Sequence, residues 1–335
     1  MIIGVIEHDR GKLNDLSLQM LTLGRRLADQ MNVPLHALLI GEAARPLADG
    51  LGAYGVSTVH LAQDDRLDEY APEAWAQCVV ELISAAKPEV VMAAGTDRAH
   101  EVLAHVAART DLPMAANCTE VRPAETLEAP FELTRVRWGG SLLEEAQLTG
   151  TVKLLTVAPH AVAAEEVTQA FGGVPAVAAP TFESFSPNLA DKDFRVRIAG
   201  RVEPDQTKIS LADAKVVIGG GRGVGSDEGF KLLEELADLL GGTVGCSRAV
   251  TSLGWRPHAD QVGLTGVRIA PDVYIACGVS GAIQHMVGCK SAKCVVAINK
   301  DPEAPIMAQA DYAIIGDLHQ VVPAVLEAIK RVSSR

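Results

Sequence analysis

The sequence predicts an α/β protein of two domains, each with a mostly parallel sheet flanked by helices. Short apolar runs alternate with segments of helical spacing, and this alternation weakens from about residue 115 and begins again with the strand at Lys215. A chain of 335 residues favours two domains over one. Hydrophobic residues make up 48% of the chain and aromatic residues only 4%, so Ala, Val, Leu and Ile must pack against both faces of the sheets.

The first domain, residues 1–190, is predicted from strands that alternate with helices. Leucines recur near the helical period within Leu16–Met31, which predicts a helix there. Thr96 or Asp97 is expected to cap a later helix. Strands connected by helices favour parallel pairing with right-handed crossovers. The predicted strands are Ile2–Ile6, Leu35–Ile40, Val56–His60, Val90–Ala93, Phe131–Val136 and Thr151–Val157, and the further helices are Ala74–Ala86 and Asp97–Arg109.

A linker is predicted over residues 191–210, which show neither a clear period nor an apolar core. The second domain, residues 211–335, begins again with a strand and a helix. Ser226 is expected to cap that helix, and the pair Gly241-Gly242 is expected to end it. The predicted strands are Lys215–Ile218, Thr243–Cys246, Val273–Ala276, Cys294–Ile298 and Ala313–Ile315, and the helices are Asp227–Leu240 and Val321–Val332.

Charge and cysteine usage exclude several classes of function. The net charge of −12 disfavours nucleic acid or an anionic membrane as the main partner. No apolar run approaches the roughly 20 residues that span a bilayer, and the amino terminus reads as a strand without a signal peptide. The six cysteines are scattered without C-x-x-C spacing, so we expect free thiols, no metal or iron–sulfur site, and a cytoplasmic location.

A glycine-rich segment, Gly219–Gly225, follows the first strand of the second domain. It matches neither G-x-G-x-x-G nor the ending of a phosphate-binding P-loop. Backbone amides between a strand and a helix can bind an anion, and Arg222 favours that interpretation. A tight structural turn remains the alternative.

Polar and small residues also follow the other predicted strands of the second domain. Ser247 and Arg248 come after one strand, Ser280–His285 after the next, and Asn299 and Asp317 after the last two. Open α/β sheets bind ligands at the carboxyl ends of their strands. Taken singly, each residue is typical of a turn or a solvated surface, but together they predict a ligand site.

Two segments, Ser280–His285 and Asn299–Pro305, are specific in combination for one family. At these residues the chain closely resembles the α subunit of the electron transfer flavoproteins. The match runs from Gly220 to about Leu326 and is weaker in the first domain. The resemblance implies a Rossmann-like C-terminal domain that binds FAD, and it implies cofactor contacts at Arg222, Ser247, Arg248, Gln261, Val262, Gly263, Leu264, Thr265, Ser280, Gly281, Ala282, Ile283, Gln284, His285, Asn299, Asp317 and Leu318.

The resemblance also implies roles for some of these residues. Arg248 matches an arginine against the isoalloxazine ring, Thr265 a hydroxyl near N5, and His285 a donor near the C2 carbonyl. Ser280–Ala282 corresponds to the pyrophosphate and Asp317 to the adenosine end. Leu264 departs from the family by replacing a usually polar residue.

The implied function is that of an electron carrier rather than an enzyme that transforms a substrate. The family couples flavoprotein dehydrogenases to a quinone-linked oxidoreductase of the respiratory chain, as a heterodimer with a β subunit that holds AMP or a second FAD. Three alternatives stay open at this point. They are an NADH-dependent bifurcating α subunit, a nucleotide-binding scaffold without a working flavin, and an NAD-dependent enzyme on the same fold.

Overall fold

The computed structural model describes residues 1–124, 129–140, 142–167, 179–200 and 209–333. The chain divides into two units, one of residues 1–138 and 142–202 and the other of residues 139–141 and 203–335. Both units are parallel-dominated sheets flanked by helices, which confirms the predicted fold class. Among the helices of the described ranges, none is both long and apolar enough to cross a bilayer.

The first unit is built on a nine-stranded sheet. Its strands and helices are β1 (Ile2–Val5), β2 (His8–Asp9), β3 (Lys12–Leu13), α1 (Leu16–Met31), β4 (Leu35–Ile40), α2 (Ala48–Leu51), β5 (Val56–Ala62), α3 (Pro72–Ala86), β6 (Val90–Ala94), α4 (Asp97–Thr110), β7 (Met114–Arg122), β8 (Phe131–Arg137), β9 (Leu142–Leu148), β10 (Lys153–Val157) and β11 (Thr181–Phe185). Short 3₁₀ helices lie at Glu42–Leu47, Gly52–Tyr54 and Asp191–Phe194, and one at Trp138–Gly140 includes residues that belong to the second unit.

The strand order of this sheet is β11-β5-β4-β1-β6-β10-β7-β8-β9, and all pairs are parallel except those of β7 with β8 and β8 with β9. Both faces are covered, because Ile2 and Ile3 of β1 belong to different hydrophobic clusters. Thr96 caps α4 by accepting a hydrogen bond from the amide of Ala99 at 3.1 Å, as predicted. Strands β7, β9 and β11 were not predicted, because their partly exposed residues lack an apolar run.

Residues 191–200 contact the first unit although they fall in the predicted linker. Asp193 is buried and forms an ion pair with Arg109 of α4 at 3.1 Å. Glu73, also buried, pairs with Arg195. The domain boundaries and the linker stay predictions, since residues 201–208 lie outside the described ones.

Replacement of Asp193 tests whether this segment stabilises the first unit. Asp193→Ala leaves Arg109 without its buried partner, so we expect the free energy of unfolding to fall by about 3 kcal/mol. Urea denaturation of the full chain measures the loss. Asp191→Ala is the matched control, because Asp191 is fully exposed and lies 3.9 Å from Arg66. Equal stability of the two variants would contradict the expectation.

The second unit contains a five-stranded, all-parallel sheet in the order β13-β12-β14-β15-β16. Its elements are β12 (Val216–Gly220), α5 (Phe230–Leu240), β13 (Thr243–Cys246), α6 (Arg248–Ser252), β14 (Val273–Cys277), α7 (Ile283–Cys289), β15 (Val295–Asn299), β16 (Tyr312–Ile315) and α8 (Leu318–Ser333). Short 3₁₀ helices lie at Arg222–Val224, His258–Asp260 and Pro305–Ala308. Numbered within the unit, the strand order is 2-1-3-4-5, which is doubly wound and reverses direction between β12 and β14.

The start of α5 differs from the prediction. The helix begins at Phe230 with Gly229 at its N-cap, rather than at Asp227 with Ser226. Ser226 instead accepts a hydrogen bond from the amide of Gly229 at 3.3 Å, which closes the turn before the helix. The glycine-rich segment is therefore followed by a short 3₁₀ turn and a loop, and not directly by an α-helix.

Candidate functional site

The loops after β12 and β14, at the switch point of the sheet, pack closely through their backbones. Gly221 donates a hydrogen bond to the carbonyl of Cys277 at 2.9 Å, and Gly223 donates to the carbonyl of Gly278 at 3.1 Å. A Cβ atom on Gly221 would lie 2.1 Å from that same Gly278 oxygen. Gly278 has φ of +62°, in the left-handed region that favours glycine. These glycines let the loops after β12 and β14 approach, and Arg222 lies exposed beside them.

A second arginine follows β13. The amide of Ser247 donates to the carbonyl of Gly220 at 3.0 Å, which fixes the loop against β12. Arg248 is the first residue of α6 and is exposed. Within the part of the chain that the structure describes, neither Arg222 nor Arg248 forms an ion pair. Two uncompensated positive charges therefore lie at the carboxyl edge of the sheet.

The loop Gln261–Thr265 packs beside β13 through its backbone. Val262 donates to the carbonyl of Cys246 at 2.8 Å, and Leu264 donates to the carbonyl of Gln284 at 2.7 Å. Gln261 and Val262 are buried, so their side chains face the protein. Gly263 has φ of +147°, and a Cβ there would meet the Gln284 carbonyl at 2.9 Å. Only Leu264 and Thr265 present exposed side chains.

Hydrogen bonds hold Thr265 in this loop. The side-chain nitrogen Nε2 of Gln261 donates to Thr265 Oγ1 at 2.9 Å. The side-chain oxygen Oε1 of Gln261 accepts from Thr251 Oγ1 at 2.8 Å. Because Thr265 Oγ1 accepts one hydrogen bond from inside the protein, its own hydroxyl hydrogen is left for a ligand.

The segment Ser280–His285 presents a mixed surface. Ser280, Ala282, Ile283 and Gln284 are exposed. Gly281 is buried with φ of +80°, and a Cβ on it would lie 2.4 Å from the backbone nitrogen of Ile306. This turn brings the loop after β14 against the segment after β15, where Ile306 donates to the carbonyl of Ser280 at 3.1 Å.

His285 differs from its predicted environment. The ring is 6% exposed, and Nε2 lies 2.6 Å from the hydroxyl oxygen of Tyr274. The other ring nitrogen, Nδ1, is buried without a hydrogen bond of normal geometry. Burial lowers the pKa of His285 to about 4, although the backbone of Val262 opposes the shift. His285 is therefore neutral at pH 7 and supplies no positive charge to a ligand.

The remaining predicted residues lie at the ends of β15 and β16. Asn299 donates through Nδ2 to the carbonyl of Val279 at 2.9 Å, so its amide braces the loop after β14. Asp317 forms an ion pair with Lys300 at 2.9 Å, and the hydrogen bond from Lys300 lowers the pKa of this carboxyl. Leu318 is buried in the core beside α5, so its side chain packs there and does not line the site.

The sequence analysis missed two residues that act on this site. Tyr274 is the partner of His285, and Lys300 is the partner of Asp317. A signal for Tyr274 exists in the sequence, because a phenol inside an apolar strand requires a hydrogen-bond partner. Lys300 carries no comparable signal, since its pairing depends on the approach of β15 and β16.

The low pKa of His285 predicts acid sensitivity. Its folded-state pKa of about 4 lies below the ordinary value of 6.5, so the unfolded chain binds this proton more readily. The contribution of His285 to stability is complete above pH 6.5, is lost as the pH falls towards 4, and amounts to about 3 kcal/mol. Urea denaturation at several pH values should show that the free energy of unfolding falls less between pH 6.5 and pH 4 for His285→Gln than for the unmodified chain. Parallel pH profiles would contradict this.

The doubly wound sheet and the polar loops at the carboxyl ends of its strands are typical of nucleotide-binding proteins of the α/β class. A family model described as the electron transfer flavoprotein FAD-binding domain matches residues 210–290, and one described as the electron transfer flavoprotein domain matches residues 2–181. The chain thus belongs to the electron transfer flavoprotein α-subunit family, whose members hold a flavin and work in partnership with a β subunit.

Relatives similar over nearly the whole chain support this assignment. The electron transfer flavoprotein subunit alpha of Thermoanaerobacterium thermosaccharolyticum is 34% identical over 97% of this chain and 96% of its own length. The subunit of the same name from Megasphaera elsdenii is 34% identical over 98% of this chain and 95% of its own. The Mycobacterium tuberculosis subunit is 35% identical, with 98% of both chains covered.

The residues present fit a flavin dinucleotide. Close backbone packing at Gly221, Gly223 and Gly278 holds the loops after β12 and β14 together at the carboxyl edge of the sheet, and Arg222 and Arg248 supply uncompensated positive charge there. The exposed hydroxyls of Thr265 and Ser280 offer further donors. The buried Nδ1 of His285 forms no hydrogen bond of normal geometry, so its hydrogen-bonding capacity is not fully used, although the backbone of Val262 interacts with the ring.

Proposed function

We propose that this chain binds FAD at the carboxyl edge of its second sheet and carries electrons from flavoprotein dehydrogenases to a quinone-linked oxidoreductase of a respiratory chain. It does so as a heterodimer with a β subunit. The observation that carries the proposal is the carboxyl edge of β12 and β14, where closely packed backbone lies beside arginines without ion-pair partners. The match of residues 210–290 to an FAD-binding domain supports it.

Different parts of the site are proposed to hold different parts of the cofactor. Arg222 and the backbone of Ser280–Ala282 bind the pyrophosphate, where positive charge and free amides favour an anion. Asp317 binds near the adenosine end, with Lys300 orienting its carboxylate. Arg248, Thr265 and His285 bind the isoalloxazine ring.

A bound flavin supplies reversible one- and two-electron transfer, and the protein sets its potential. Arg248 stabilises negative charge on the reduced ring, because an exposed guanidinium without a carboxylate partner is free to compensate it. Thr265 offers a hydroxyl hydrogen whose direction is set by Gln261 and Thr251. His285 acts as a neutral group and not as a cation.

The carbon chemistry of electron donors takes place in the partner proteins, so this chain acts as a carrier. All six cysteines lie in the described part of the chain and are free thiols, which suits a reducing compartment. A cytoplasmic location is part of the same proposal.

The test is the flavin content and redox behaviour of the purified complex of this chain with its β subunit. We expect a yellow complex with one FAD per heterodimer, reduced by a flavoprotein dehydrogenase and reoxidised by a quinone-linked acceptor. Two FAD molecules per heterodimer and reduction by NADH would instead identify a bifurcating complex. A colourless complex that does not retain added FAD would refute the proposal.

A further inference from the structure

A buried hydrogen bond joins Tyr274 of β14 to His285 of α7. The Tyr274 hydroxyl oxygen and His285 Nε2 are 2.6 Å apart, and the ring centroids are separated by 6.0 Å with the planes tilted by 35°. Tyr274 is fully buried and His285 nearly so. His285 ends the segment Ser280–His285 of the candidate flavin site, in which Ser280, Ala282, Ile283 and Gln284 are exposed.

The position of the Tyr274 hydroxyl is tightly confined. A Cβ added to Gly219 of β12 would lie only 2.1 Å from it, so the absence of a side chain there makes room for the phenol. The ring belongs to an apolar cluster that includes Val217 and Ala276. Within the described ranges, the hydroxyl forms no other hydrogen bond than the one to His285.

Both partners are uncharged at neutral pH. Burial raises the pKa of Tyr274 well above its ordinary value and lowers that of His285 to about 4. The phenol therefore carries its proton, and the imidazole carries one proton on either Nδ1 or Nε2. Only the tautomer of His285 is left to be decided.

The two tautomers of His285 differ in how many buried hydrogen-bond donors of the Tyr274–His285 pair find an acceptor. A proton on Nε2 would be donated to the phenol oxygen, and the phenol hydrogen would then have no acceptor in the apolar cluster. A proton on Nδ1 leaves Nε2 as an acceptor, and the phenol donates to it. The second arrangement pairs the phenol hydrogen and also lets Nδ1–H interact with the backbone of Val262, so it leaves fewer buried donors unpaired and is the more stable one.

We propose that Tyr274 is a positioning residue, which donates its hydroxyl hydrogen to Nε2 and thereby fixes His285 in the tautomer with its proton on Nδ1. The single donor that His285 can direct to any acceptor is then Nδ1–H. The proposal refines the flavin site and rests on the proposed function. A fixed tautomer decides which ring nitrogen of His285 donates a hydrogen bond and which accepts one.

Nitrogen NMR of the complex with the β subunit, labelled with ¹⁵N-histidine and free of flavin, tests the tautomer directly. The His285 signals are assigned by their loss in His285→Gln. We expect the Nδ1 signal at the position of a protonated ring nitrogen and the Nε2 signal at that of an unprotonated one. In Tyr274→Phe, which removes only the hydroxyl, the Nε2 signal should move towards the protonated position.

Tyr312→Phe is the matched control, because Tyr312 is an exposed tyrosine of the same unit and should leave both signals unchanged. A proton on Nε2 in the unmodified complex would overturn the proposal even if Tyr274→Phe fails to fold. Unchanged His285 signals in a folded Tyr274→Phe complex would overturn it too. Addition of FAD to a separate sample tests the proposed function. If FAD does not bind, the spectra recorded without flavin still decide which tautomer His285 adopts.

Discussion

Gly221→Ala should abolish stable flavin binding by this chain. The added Cβ would lie 2.1 Å from the carbonyl oxygen of Gly278 and 2.6 Å from Cα of Val279, so two backbone segments must separate. That movement breaks the hydrogen bonds that join the loops after β12 and β14, and it should reduce the free energy of unfolding by about 1–3 kcal/mol. Flavin titration of the complex and urea denaturation measure the two effects.

Gly225→Ala is the control for this change. Gly225 belongs to the same loop, but a Cβ there meets no atom within 4 Å. Its φ of +90° makes alanine strained, so stability should fall somewhat while the two loops stay joined. Flavin binding by Gly221→Ala that equals that of Gly225→Ala would show that the close packing of the two loops is unnecessary for the site.

Arg248→Ala should lower the reduction potential of the bound flavin while the flavin stays bound. Two unit charges about 5 Å apart interact by on the order of 3 kcal/mol at an effective dielectric near 20. That energy corresponds to roughly 140 mV for a one-electron couple. Since Arg248 is exposed, screening by water reduces the effect, and we expect a decrease of some tens of millivolts. A redox titration of the complex measures it.

Lys293→Ala is the control for this change. It also removes one positive charge, but at the amino ends of the strands, where Lys293 pairs with Asp272 at 2.7 Å. The strands place roughly 15 Å between the two edges, a distance at which exposed charges are largely screened. The potential should therefore change little. An unchanged potential in Arg248→Ala, or an equal shift in both variants, would remove Arg248 from its proposed role.

Local patterns were sufficient for most of the regular structure. The predicted bounds of Leu16–Met31, Leu35–Ile40 and Thr243–Cys246 are those of α1, β4 and β13. These segments bury residues with the period of a helix or as a continuous apolar strand, so the signal lies in neighbouring residues. Edge strand β11 escaped prediction, because one face of an edge strand requires no apolar residues.

The sequence by itself determined the α/β class, the order of the strands along the chain and the polar residues that follow them. These properties depend on periodicity and on short-range turn chemistry, and the family resemblance rested on residues close together in the chain. Tertiary structure alone decided the partners of those residues: Asn299 braces a loop, Leu318 enters the core, and His285 bonds to Tyr274. Such contacts arise only when parallel strands bring distant segments together at one edge of a sheet. They cannot be predicted from the residues next to each partner in the sequence.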